Sequence, residues 1–196
     1  IENPNGFSFN ITGSGLPSTT EKVIVCKISS TGSVEYITGI PGPLHDYHYI
    51  ALDNMLNLYI STLIDQNNYK YPTIYKIDQN GNHSFFHTLL SSSTVTAYGY
   101  KYHDIQFING NLFVSFCSAG VGNGSCYVDK LNSNGDTLSR KLVVADNWYG
   151  NRIIDIKCMI SSCYILYFDQ ASTEKKVKKF DLNFNEIEDD ILMQTQ

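Results

Sequence analysis

Three segments of the 196-residue chain hold titratable side chains with a structural reason to converge: "PLHDYHYI" from Pro43, "YGYKYHDI" from Tyr98 and "WYGNRIIDI" from Trp148. They contain His45, Asp46, His48, His103, Asp104, Arg152 and Asp155. Imidazole and carboxylate together can hold a divalent cation, or serve as acid and base. The same groups can instead satisfy one another and nearby backbone amides along a polar rim. Both readings stay open at this level, and both need a fold that makes the three segments converge.

Aromatic side chains form a second candidate. "YKYPTIY" holds Tyr69, Tyr71 and Tyr75, "YGYKY" holds Tyr98, Tyr100 and Tyr102, and Trp148 and Tyr149 follow at a matching junction. An amphipathic ring can stack on a sugar or a partner surface while its polar edge forms a hydrogen bond, so Tyr98, Tyr100, Trp148 and Tyr149 are the expected ligand-binding residues. Strand alternation is expected instead to bury every second ring between blades. No P-loop, dinucleotide glycine fingerprint, His-Glu-x-x-His pair or nucleophile elbow occurs, and no spacing of Ser, His and Asp singles out a triad.

The five cysteines and three sequons bear on compartment. Cys117 and Cys126 bracket the Gly-rich "SAGVGNGS", and Cys158 and Cys163 bracket "MISS", so both pairs are expected to bridge hairpin mouths. A zinc site needs three or four converging ligands, and neither pair has the usual companion. Cys26 is left over, as a buried thiol or as the partner of a cysteine elsewhere. The glycosylation triplets begin at Asn10, Asn82 and Asn123, the last two in turns and the first in a strand. An extracellular or cell-surface location follows from both features, with any signal peptide already removed.

A net charge of −5 argues against a nucleic-acid partner, which needs clustered Lys and Arg. The short basic run Lys175, Lys176, Lys178 and Lys179 reads as a solvated strand edge. No apolar stretch approaches the roughly 18 residues of a membrane span. With 42% hydrophobic residues, the chain has enough apolar material for a sizeable core.

The elements that must position these residues come from a repeat. "VCKISSTGSVEYI", "IYKIDQNGNHSFF", "VDKLNSNGDTLSR" and "VKKFDLNFNEIED" align on Ile28, Ile77, Leu131 and Phe180, at spacings of 49, 54 and 49 residues. Four residues on, the first three have Gly32, Gly81 and Gly135, which supply the positive φ of a tight hairpin turn. The fourth has Phe184, so a different turn is expected there. Upstream, "YIALDNMLNLYIST", "HDIQFINGNLFVSF" and "IIDIKCMISSCYILYF" each read as another hairpin. Four antiparallel strands recurring at this period give an all-β fold, a β-propeller of about four blade repeats. The repeats run over residues 1–43, 44–97, 98–147 and 148–196 of a single domain or propeller segment. "NPNGFSFNIT" falls at the second-strand position, which leaves the first blade without its innermost strand. The unpaired edge around Phe7 to Ile11 is expected to be covered from outside the chain, as in a segment of a larger propeller.

"YIALDNMLNLYISTLIDQNNYKYPTIYKIDQNGN", together with "DIQFINGNLFVSF" and "YVDKLNSNGD", resembles the repeat of NHL-type and gluconolactonase-like propellers. The resemblance covers about half the chain and implies a blade rather than an activity, since this fold hosts binding modules, lectins, lyases and lactonases. Propellers of this type bind ligands where innermost strands and connecting loops meet, which places His45, Asp46, His48, His103, Asp104 and Asp155 at a channel mouth. The leading expectation is a secreted, non-catalytic module that binds protein or glycan, or self-assembles through its open strand edge, without a cofactor. The alternative is a metal-assisted lactonase or lyase holding a divalent cation at that mouth.

Overall fold

The computed structural model describes residues 22–41, 48–66, 69–88, 100–118, 125–144, 152–169 and 172–192, and these form β-strands joined by turns. β1 (Lys22–Ile28) and β2 (Val34–Pro41) make a two-stranded antiparallel sheet. β3 (Ile50–Leu52), β4 (Leu58–Gln66), β5 (Tyr69–Ile77) and β6 (His83–Thr88) make the first four-stranded sheet. β7 (Tyr100–Ile108), β8 (Asn111–Ser118), β9 (Cys126–Leu131) and β10 (Thr137–Val144) make the next. β11 (Arg152–Cys158), β12 (Ser162–Asp169), β13 (Glu174–Asp181) and β14 (Glu186–Leu192) make the last. Each four-stranded sheet is a meander in chain order, with β3 beside β7 and β7 beside β11. That is the arrangement of consecutive propeller blades. The expected second strand around Phe7 to Ile11 lies outside the described residues.

Period-two alternation sends each strand's side chains to two different neighbours. In β8, Leu112, Val114 and Phe116 join Tyr59, Ile74 and Phe86 of the second blade. The intervening Phe113 and Cys117 join Ile153, Ile156, Ile165 and Phe180 of the fourth. Ile40 of the first blade packs with Ile60, Tyr75 and Ile77 of the second. The core is therefore a series of layers between blades, and a central strand such as β8, buried on both faces, reads as a continuous apolar run.

One turn is used five times, at 29–33, 53–57, 78–82, 132–136 and 181–185. In each, the first residue's N–H donates to the fifth residue's carbonyl and the fourth residue's N–H donates to the first's, at 2.8 to 3.1 Å. In the last four, Oδ1 of Asp53, Asp78, Asn132 or Asp181 accepts from the backbone N–H groups two and four residues on, at 2.8 to 2.9 Å. Asn57, Asn82 and Asn185 then donate their side-chain amide to the remaining carboxylate oxygen, and Asn132 donates to Asp136 in the reverse sense. The amide donors Asn82 and Asn185 hold the Asp78 and Asp181 carboxyls below their usual range. Position four takes positive φ in every copy: Gly32, Leu56, Gly81, Gly135 and Phe184. The fourth repeat thus has the same turn as the others, contrary to the expectation drawn from its missing glycine. The side-chain clamp fixes the backbone, and the Phe184 ring is buried edge-on against Phe113 at 5.8 Å. That burial outweighs a left-handed penalty of roughly 1–2 kcal/mol.

The basic run is also corrected. β13 lies between β12 and β14, so it is an interior strand rather than an edge. Lys176 and Lys179 are half-buried and paired, Lys176 with Asp169 at 2.6 Å and Lys179 with Glu188 at 3.0 Å. Cys117–Cys126 and Cys158–Cys163 are disulfides between directly opposed residues, of β8 and β9 and of β11 and β12. Cys117, Cys126 and Cys163 sit in the layer between the third and fourth blades. Each bridge closes a short loop, so its loss should cost about 2–3 kcal/mol in the chain-entropy picture. Denaturant titration of Cys117→Ser/Cys126→Ser and Cys158→Ser/Cys163→Ser variants, against the untreated chain, reads this directly. Cys26 is exposed, not buried as one reading of the leftover thiol had it.

Candidate functional site

β7 and β11 bring two of the expected acidic groups, Asp104 and Asp155, together. Asp104 of β7 is half-buried and accepts hydrogen bonds from the backbone N–H of Ile105 at 2.8 Å and of Ile156 at 3.3 Å. Two residues on, Gln106 Oε1 accepts from the Cys158 N–H at 2.8 Å. The Ile156 and Cys158 N–H groups belong to β11, the first strand of its sheet, and side chains of the preceding blade supply the acceptors that a further strand would otherwise provide. The Asp104 carboxyl also shares a hydrogen bond with the exposed Asp155. Burial pushes Asp104 up to about 6, and Asp155 pushes the same way against the two backbone donors.

This shift has a definite sign. An aspartate whose folded pKa lies above its unfolded value of about 3.9 binds its proton more tightly when folded, so its contribution is fully present below pH about 4. It is lost as pH rises through about 6. Unfolding free energy should therefore fall across this window and level off above it. Asp104→Asn should flatten that slope, since an amide keeps one acceptor without ionising. Chemical denaturation of both proteins from pH 4 to 7.5 measures the difference in slope.

The other expected site residues divide three ways. His48 is half-buried, with Nδ1 against the Ser61 carbonyl at 3.0 Å. His103, Arg152 and Tyr100 occupy positions in β7 and β11, with side chains outside the described set. His45, Asp46, Tyr98, Trp148, Tyr149, Asn10 and Asn123 lie outside the described residues. Asn82 is exposed, and the nitrogen a glycan would occupy is the one that donates to Asp78 at 2.9 Å. Among the described residues, no three His, Cys, Asp or Glu side chains converge as metal ligands.

Two features escaped the sequence reading. Gln106 carries no motif and acquires its role only when β7 meets β11. The lysine before each aligned apolar residue was visible in all four repeats. Lys76 lies over Tyr59, Lys130 over Phe113 and Lys179 over Tyr164, at 5.5, 5.9 and 5.5 Å from the ring centres. Lys130 also donates to the Leu182 carbonyl in the next blade at 2.9 Å. The repeated lysine therefore tops the face that each blade turns toward its successor.

No family model and no curated protein matches this sequence. Among solved structures, the chain is similar to a subtype N10 neuraminidase-like protein of A/little yellow-shouldered bat/Guatemala/060/2010, with a TM-score of 0.53 and 14% identity. The match covers 77% of this chain and 45% of that one. That protein is a six-bladed propeller, so the likeness supports the propeller fold and gives no support to the NHL or gluconolactonase type in particular. The chain spans less than half the length of that structure. Among the described residues, no helix is long and apolar enough to cross a membrane.

Proposed function

We propose that this chain is an extracellular, non-catalytic propeller segment that serves as a binding and assembly module. The observation that carries this reading is the apolar outer face of the first blade. Ile24, Ile28, Val34 and Ile37 are all exposed on the β1–β2 sheet, whose opposite face packs on the second blade. Contiguous exposed apolar surface of this kind marks interaction sites. The two disulfides fit an oxidising compartment, and the Asn82 sequon lies in an exposed turn, where a glycosylated amide would keep one N–H for Asp78. Tyr98, Tyr100, Trp148 and Tyr149 are the residues proposed to contact a protein or glycan ligand. Intact-mass measurement of secreted protein, with thiol counting and glycosidase treatment, should find Cys26 as the one free thiol and a loss of mass. Five free thiols and an unchanged mass would remove the extracellular reading.

A second reading, a metal-assisted lactonase or lyase at the innermost strands, is favoured by the Asp104–Asp155 pair. It requires a stoichiometric divalent ion in the purified protein. His48→Ala/His103→Ala would then abolish both the ion and any activity, and unchanged metal content in that variant would end this reading.

A further inference from the structure

We infer that the outer face of the fourth blade seats on the outer face of the first blade of a second copy, head to tail. This rests on the assembly reading above and names its partner. The aligned repeats allow a position-by-position comparison. Ile77, Leu131 and Phe180 each face the preceding blade and are 0% exposed, whereas their counterpart Ile28 is 46% exposed. Gly81 and Gly135 hold their turns so close to the preceding blade that an added Cβ would meet Tyr36 at 2.7 Å or the Phe86 carbonyl at 2.1 Å. Gly32 has the same positive φ with nothing within 4 Å. The first blade therefore presents the incoming half of an inter-blade interface, with no other half among the described residues.

The fourth blade presents the complementary half. Tyr59 and Phe113, each topped by the repeated lysine, face the following blade and are buried. Their counterpart Tyr164 is only half-buried, and Lys179 above it pairs with Glu188 on its own sheet. Lys130, in the interior version, reaches the carbonyl of the next blade's turn instead. In the assembly, Lys179 exchanges Glu188 for the matching carbonyl of Ser30 in the second copy, and the Tyr164 ring covers Ile28. The two uncovered faces thus continue an interface the chain already makes three times, which singles out a second copy as occupant. Such a contact is heterologous, because different patches meet and each copy keeps one free patch for the next.

Analytical ultracentrifugation of the full chain tests this. The native protein should show a molar mass that rises with concentration above the 22.1 kDa of one copy. Ile28→Glu and Tyr164→Glu should each weaken self-association by about 100-fold or more, since each places an unpaired charge in the contact. Both positions have solvent access in the isolated chain, and circular dichroism should report an unchanged fold. The deciding measurement is an equimolar mixture of the two variants, because the first keeps an intact fourth-blade face and the second an intact first-blade face. A 1:1 dimer and nothing larger is expected. A mixture that stays monomeric, or a native protein monomeric at every concentration, overturns the inference and assigns the face to a different occupant. Thiol count and glycan mass report separately on the extracellular reading, so the two can fail independently.

Discussion

Gly135→Ala should destabilise the protein by roughly 4 kcal/mol, and Gly32→Ala by about 1 kcal/mol, although both replace a turn glycine of the same φ. Each substitution forces an L side chain into the left-handed region, at φ +88° and +84°. At Gly32 nothing further follows, because the space around its Cβ is open. At Gly135 the added carbon would lie 2.1 Å from the backbone oxygen of Phe86 and 3.1 Å from its carbon. Backbone cannot swing aside as a side-chain tip can, so the turn must retreat from β6. Retreat also breaks the bond that His87 Nδ1 donates to the Gly135 carbonyl at 2.8 Å. Burial lowers the His87 pKa, while the Gly135 carbonyl that accepts its Nδ1 proton pulls the other way. Urea denaturation of the two variants beside the native protein gives both values. Equal losses would show that the second and third blades can separate at this turn without penalty.

The same contrast shows what could be read from the residues alone. Strand and turn positions were legible because they are local. A turn glycine at a fixed distance from an apolar residue, with apolar runs on either side, is contiguous in sequence. The disulfides were legible for the same reason, since each joins the two ends of one hairpin. Phe184 was misread because its tolerance for positive φ comes from Phe113, a residue of another blade that no local pattern identifies. Asp104 was picked out for its charge and position, but its bonds to the β11 backbone depend on how two blades sit together. The contrast between Ile28 and its three buried counterparts is likewise invisible in a repeat alignment, where all four positions are apolar.

Arg140→Ala should cost about 3–5 kcal/mol, nearly all of it through Asp129. Asp129 occupies the position filled by Tyr75 in the second blade and is only 1% exposed. Its two carboxylate oxygens accept a fork from Arg140 Nε and Nη2, both at 2.7 Å, from the directly opposed residue on β10. The guanidinium also lies over Phe116 at 5.0 Å and Tyr127 at 5.8 Å, and half of the arginine side chain remains in contact with water. That asymmetry decides the energetics. A half-exposed arginine gains little from the pair on its own account, but a carboxylate sealed between two blades cannot stay ionised and unpaired without a large desolvation cost. Asp129→Asn should therefore be milder, at about 1–2 kcal/mol, because the arginine it releases can turn to solvent. Adding Arg140→Ala to that background should cost only about 1 kcal/mol more, a coupling of about 2–4 kcal/mol. Arg140→Lys keeps the charge and loses the fork, so it should fall between the native protein and the alanine variant. A double-mutant cycle by equilibrium denaturation gives all of these terms, and additive losses would mean that Asp129 finds another donor once the arginine is gone.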